Sequence, residues 1–120
     1  MNQPTRILAP VDFSPQSQAI VDHACRVAER DGAELHVISV IRDAQDRDEV
    51  RRVGLGRLAE FVRPASELQL ATVQAILTGN PPVGILAYAK KHDVDLIIMG
   101  THGRRGLSRL TLGSVAERVL

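Results

Sequence analysis

The fifteen residues GTHGRRGLSRLTLGS, Gly100 to Ser114, hold four glycines, three arginines, four hydroxyl side chains and one histidine. Glycine lets a backbone take positive φ and approach a ligand closely. The closing Gly113-Ser114 reads as the opening of a helix. A helix N-terminus presents free N–H groups and a positive dipole end, which suits phosphate. Ser114 can cap that helix or donate to a phosphate oxygen. The spacing is Gly100-x2-Gly103-x9-Gly113-Ser114. It contains no Gly-Lys-Ser/Thr and is not G-x-G-x-x-G, so it matches neither common phosphate-binding signature. Glycines also populate ordinary surface turns. On the residues alone, a phosphate-binding loop and a structural glycine loop both stay open.

A second loaded stretch is PVDFS, Pro10 to Ser14. Asp12 there reads either as a ligand-facing carboxylate or as a turn residue that organises a helix start. His102 could act as a base, but no Asp or Glu stands near it in sequence to orient it, so it reads as a loop residue. His23, His36 and His92 are scattered without metal-ligand spacing, and no metal site is expected. Asp93 and Asp95 flank a strand start and read as solvated caps. Cys25, the one cysteine, leaves no disulfide framework and reads as a core residue.

The elements that must carry these groups follow from apolar periodicity. RILAPVD (6–12) is a short bounded run and reads as a buried strand. Pro10 has no N–H for a ladder, so pairing should stop near it and open into a loop at Val11 to Phe13. Ser14 suits an N-cap and Pro15 a first helical position. Ala19, Ile20, Ala24, Val27 and Ala28 then form a helical stripe that Gly32 ends. A second strand is expected at 33–41. A helix with Val50, Val53, Leu58, Phe61 and Val62 inward follows, expected either to begin late or to be mobile because of Gly54 and Gly56, and ended by Pro64. The charges between Arg42 and Arg52 read as a solvated loop or helix face. A third strand is expected at 68–77, a helix opened by Pro82 with Ile85, Leu86 and Ala89 inward, a fourth strand at 94–99, and a last helix over GSVAERVL.

Strands alternating with helices imply an α/β fold with a parallel sheet covered on both faces by right-handed crossovers. In such sheets ligands bind beyond the carboxyl ends of the strands, where strand order reverses. Both loaded stretches follow such ends. Length suits one domain, 1–120. A net charge of +1 and the near absence of aromatic residues argue against nucleic acid and anionic membrane as partners. No segment has the run of a transmembrane helix or signal peptide, so a cytoplasmic location is expected.

The stretches ILAPVDFS, LHVISV and TGNPPVGILAYAKKHDVDLIIMGTHGRRGLSRLTLGSVAERVL resemble the universal stress protein family, A type. The glycine spacing is similar to that of its ATP-binding subclass. The resemblance implies a Rossmann-like, adenine-nucleotide α-hydrolase-like sheet in the order 3-2-1-4. It implies ATP as ligand, with magnesium bridging phosphates. Asp12 would then sit near ribose and adenine, with Pro10 and Val11 shaping that wall and Val40 lining the adenine pocket. Met99, Gly100 and Thr101 would lie under the nucleoside, with His102 close by. Gly103, Arg104, Arg105 and Gly106 would wrap the phosphates, and Gly113, Ser114 and Val115 would meet them at the helix start. The family pairs subunits as homodimers through a fifth strand of the CPVLVV kind. The sequence ends at Leu120 before any such strand, and so reads as shortened at its carboxyl end. A stress-response binding module with at most slow ATP hydrolysis is the leading reading. A nucleotide-free interaction module is one alternative. An ATP-using enzyme of the α-hydrolase-like group is another; it would need a Ser-Gly-Gly loop where PVDFS stands.

Overall fold

Ile7, Leu8 and Ala9 are fully buried, and they form the centre of β1 (Arg6–Pro10) in the computed structural model, which describes residues 5–42 and 45–100. The chain continues through α1 (Ser17–Asp31), β2 (Glu34–Ile41), α2 (Arg47–Phe61), α3 (Arg63–Glu67), β3 (Thr72–Thr78), α4 (Pro81–Lys91) and β4 (Leu96–Ile97). The strands form one parallel sheet in the order β3-β2-β1-β4. This is the expected α/β fold and the expected strand order. The helix expected over GSVAERVL lies outside the described residues.

A strand buried on both faces alternates its side chains between two cores. Ile7, Ala9 and Val11 of the first strand segment, with Leu35 and Val37, join α1, α2 and α3 on one face. Leu8 and Ile38 join Tyr88 and Ala89 of α4 on the other. Cys25 lies in the first core, as expected. Burial pushes its thiol up to about 11.

Pro10 sets the reach of β4. Leu8 accepts from Ile98 N at 2.9 Å, so its backbone faces β4, and by alternation so does that of Pro10. Pro10 has no N–H to give there. The odd residues face β2, and Val11 N still donates to Ile38 O at 2.9 Å. Among the described residues the pairing of the fourth strand with β1 therefore covers Leu96–Ile97, shorter than the expected 94–99.

Several boundaries differ from the sequence expectation for local reasons. Ser14 and Pro15 do not open α1. They belong to the turn before it, where Ser14 O accepts from Ser17 N, and Gln16 precedes the helix without a side-chain cap. Gly54 does not delay α2, which starts at Arg47 under an Asp46 cap. A Cβ on Gly54 would lie 2.7 Å from Ile76 Cδ1, so this glycine lets α2 approach β3. Gly54 takes the inward position, and Val53 is exposed instead of inward. Pro64 sits in the first turn of α3, and that short helix delays β3 to Thr72. Asn80 caps α4 by accepting from Val83 N, with both prolines in the first turn. Its buried face runs through Ile85, Tyr88 and Ala89; Leu86 lies off that face and is exposed.

Candidate functional site

The carboxyl end of β1 leads into a turn built around Asp12. Its Oδ1 accepts from Ser14 N at 2.9 Å and from Ser17 Oγ at 3.3 Å. This is an Asx turn, in which a side chain bonds the backbone two residues on. Both bonds fall on Oδ1, and the residue is exposed. Partial burial pushes the Asp12 carboxyl up, but the bonds from Ser14 and Ser17 outweigh it and hold it below its ordinary value. Asp12 is thus an ionised, solvent-facing acceptor held at a fixed angle.

The turn closes through Phe13 at φ +64°. A bulky residue with positive φ is a true outlier, costing on the order of 1–3 kcal/mol. Its ring is held from outside: Arg57 Cζ lies 4.1 Å from the ring centroid and Phe61 stacks at 6.0 Å. Gln18 Nε2 donates to Phe61 O at 3.0 Å and so ties α1 to the end of α2.

The other described site residues gather at the same end of the sheet. Pro10 ends β1 and Val11 is buried behind it. The β1–β2 register pairs Pro10 with Ile38; carried two residues on, it sets Asp12 level with Val40. The β1–β4 register pairs Leu8 with Ile97; carried on, it sets Pro10 level with Met99 and Val11 level with Gly100. Val40 and Met99 pack against the α4-side core. Val40 is held there by Gly84: a Cβ on that glycine would stand 3.2 Å from both Val40 γ-carbons. Thr101, His102, Gly103, Arg104, Arg105, Gly106, Gly113, Ser114 and Val115 lie outside the described residues.

At the opposite, amino end of the sheet the structure assembles a polar cluster that sequence reading missed. Buried His36 holds Glu34 Oε1 at 2.8 Å through Nε2 and Tyr88 Oη at 2.7 Å through Nδ1. With the proton on Nε2, the ring donates to Glu34 and accepts from Tyr88. The His36 bond holds the Glu34 carboxyl below its ordinary value, while burial and Glu34 push the Tyr88 hydroxyl up. His92 stacks on Tyr88 at 4.0 Å. Arg6, Glu34, His36, Lys91 and His92 border a groove of about 430 Å³. Asp95 is exposed, as expected of a solvated cap, and it also crosses the chain: its Oδ2 accepts from Thr5 N, Thr5 Oγ1 and Arg6 N at 2.8–3.0 Å, fastening β1 to the start of β4. The available signals were Glu34 and His36 at strand spacing i, i+2, and Tyr88 and His92 at helix spacing i, i+4. Among the described residues no group of three His, Cys, Asp or Glu could hold a metal.

Known proteins share this plan. The model of the universal stress protein family matches residues 4–120. The chain is 34% identical over 131 residues to universal stress protein A homolog 1 of Coxiella burnetii, covering 95% of this chain and 87% of that one. The solved structure of MJ0577 of Methanocaldococcus jannaschii superposes with a TM-score of 0.75 at 24% identity, covering 98% of this chain and 88% of that one. A universal stress protein family protein of Arabidopsis thaliana, solved with AMP bound, superposes at 0.65 with 19% identity, covering 88% and 81%. With the parallel 3-2-1-4 sheet and nearly the whole length matched, the chain belongs to the universal stress protein family.

Proposed function

We propose that this chain binds an adenine nucleotide, ATP by the glycine spacing, in the crevice beyond β1 and β4. The observation that carries the reading is Asp12: exposed, ionised and held by its turn just past the carboxyl end of β1. The sheet order places β4 on the other side of β1 from β2, so the chain reverses its winding there. That switch point is where open α/β sheets take ligands. The stretch Gly100-x2-Gly103-x9-Gly113-Ser114 begins at the same point.

In this reading Asp12 accepts from ribose hydroxyls, and Val40 and Met99 offer the apolar wall that a base requires. The glycine stretch supplies backbone N–H groups for phosphate, with Arg104 and Arg105 adding charge-assisted bonds. The described donor set does not provide a metal cage, so magnesium is carried by phosphate oxygens and water. The AMP-bound Arabidopsis relative supports a nucleotide of this class. The reading is of a homodimeric stress-response binding module in the cytoplasm that turns ATP over slowly if at all.

Calorimetric titration with ATP tests it. Saturable binding that disappears in Gly113→Val and weakens in Asp12→Ala is the expected result. No heat at millimolar ATP would leave the nucleotide-free interaction module in its place.

A further inference from the structure

Phe13 holds a backbone conformation that its side chain disfavours, and the restraint comes from a different element. Its φ of +64° aims Ser14 N at Asp12 Oδ1, which closes the turn at 2.9 Å. The ring then projects toward α2, under the Arg57 guanidinium at 4.1 Å and beside Phe61 at 6.0 Å. Phe61 is itself tied to α1, because Gln18 bonds both Phe61 O and Asp22. The turn therefore has two anchors: the Asp12 carboxylate inside it and the Phe13 ring outside it. The ring also packs against the larger core, so Arg57 is the exposed part of the outer anchor, and loosening it would favour negative φ at Phe13 and draw Ser14 N away from Asp12.

We propose that Arg57, acting through the Phe13 ring, is a positioning residue that sets the angle of the Asp12 carboxylate and thereby ribose recognition. This rests on the nucleotide reading above. It adds that α2, which carries none of the expected site residues, sets sugar specificity. Arg57 is exposed and belongs to no core, so its replacement leaves the fold intact. Prior ordering of a recognising group raises affinity by lowering the cost of binding.

The test uses Arg57→Ala and Arg57→Lys beside the parent chain, with ATP, 2′-deoxy-ATP and 3′-deoxy-ATP as probes. A surface cation–π contact corresponds to about threefold in affinity. Arg57→Ala is expected to weaken ATP about threefold and the deoxy nucleotide that lacks the Asp12 partner much less, so discrimination narrows. Arg57→Lys keeps a cation over the ring and keeps the discrimination. An equal loss for all three nucleotides, or unchanged discrimination, overturns the proposal. Titration of the Asp12 carboxyl by carbon NMR in the free protein gives a reading that does not need nucleotide. There Arg57→Ala moves Asp12 up toward its ordinary value and Arg57→Lys does not; an unmoved Asp12 overturns the positioning role. A parent chain that ignores ATP while its Asp12 responds to Arg57→Ala sinks the nucleotide reading and leaves the positioning intact.

Discussion

At the amino end of the sheet, Glu34, His36 and Tyr88 bond one another and Asp95 bonds the start of β1. At the carboxyl end, Asp12 bonds Ser14 and Ser17 through Oδ1 among the described residues and is exposed beside a residue at positive φ. Both ends carry titratable groups, and among the described residues the groove lies at the amino end. A buried group whose hydrogen bonds are met inside the protein stabilises the fold and has little left for a ligand. An exposed charge held at a fixed angle by a strained turn is arranged for something outside the chain. The size of a cavity is therefore a poorer guide here than the direction of unused acceptors.

Substitutions at the two ends should separate binding from stability. The largest effect is expected from Asp12→Ala, which removes charged hydrogen bonds to the sugar and should weaken ATP roughly 30-fold in calorimetry. Asp95→Ala strips the acceptor from Thr5 N, Thr5 Oγ1 and Arg6 N. It should cost about 2 kcal/mol in urea unfolding with ATP affinity unchanged. Tyr88→Phe leaves buried His36 Nδ1 without its 2.7 Å partner and should cost about 1.5 kcal/mol, again with affinity unchanged. A loss of ATP binding in Tyr88→Phe at full folding would break the division between the ends.

Acid should loosen the amino end in two steps. His92 is pushed below its ordinary 6.5 by burial, then by the His36, Lys91 and Arg6 charges. A histidine depressed in the fold favours folding while neutral. That contribution is whole above about pH 6.5 and is lost as pH falls through the folded value. The Glu34 and Asp95 carboxyls are held below their ordinary 4.5 and 3.8, so their contributions are whole above those values and vanish below them. Melting temperature should be flat from neutrality to about pH 8, decline first below about 6.5 and again below about 4.5. His92→Gln shrinks the first decline, the rest of which comes from His23, also held below its ordinary value by burial and then by Arg26 and Arg30, and leaves the second. The smallest effect concerns Cys25, whose buried thiol is held at about 11; it should react with thiol reagents only on unfolding.

The path of the chain was legible in the sequence because it rests on local patterns. Continuous buried runs in Arg6–Pro10 and Glu34–Ile41, the Gly32 stop at φ 66° and the proline opening of α4 are all settled within a few residues. Strand order came from family resemblance and agrees with the sheet. The misread positions depend on contacts across long separations. Gly54 is explained by Ile76; the bonds of Asp95 to Thr5 and Arg6 and the contact of Phe13 with Arg57 likewise cross the chain and leave no local mark. Ser14 had the chemistry of a cap, but it lies in the turn that precedes α1, whose first residue is Ser17. At the site, PVDFS could be named from sequence, whereas the outer anchor of its turn belongs to α2 and leaves no mark near Asp12.

Amide hydrogen exchange followed by mass spectrometry, with and without ATP, tests the contrast between the two ends most directly. The account predicts added protection in peptides covering residues 10–14 and 99–115, and none in peptides covering 34–36 and 88–93. Protection confined to the amino-end peptides, or none anywhere at millimolar ATP, would contradict it.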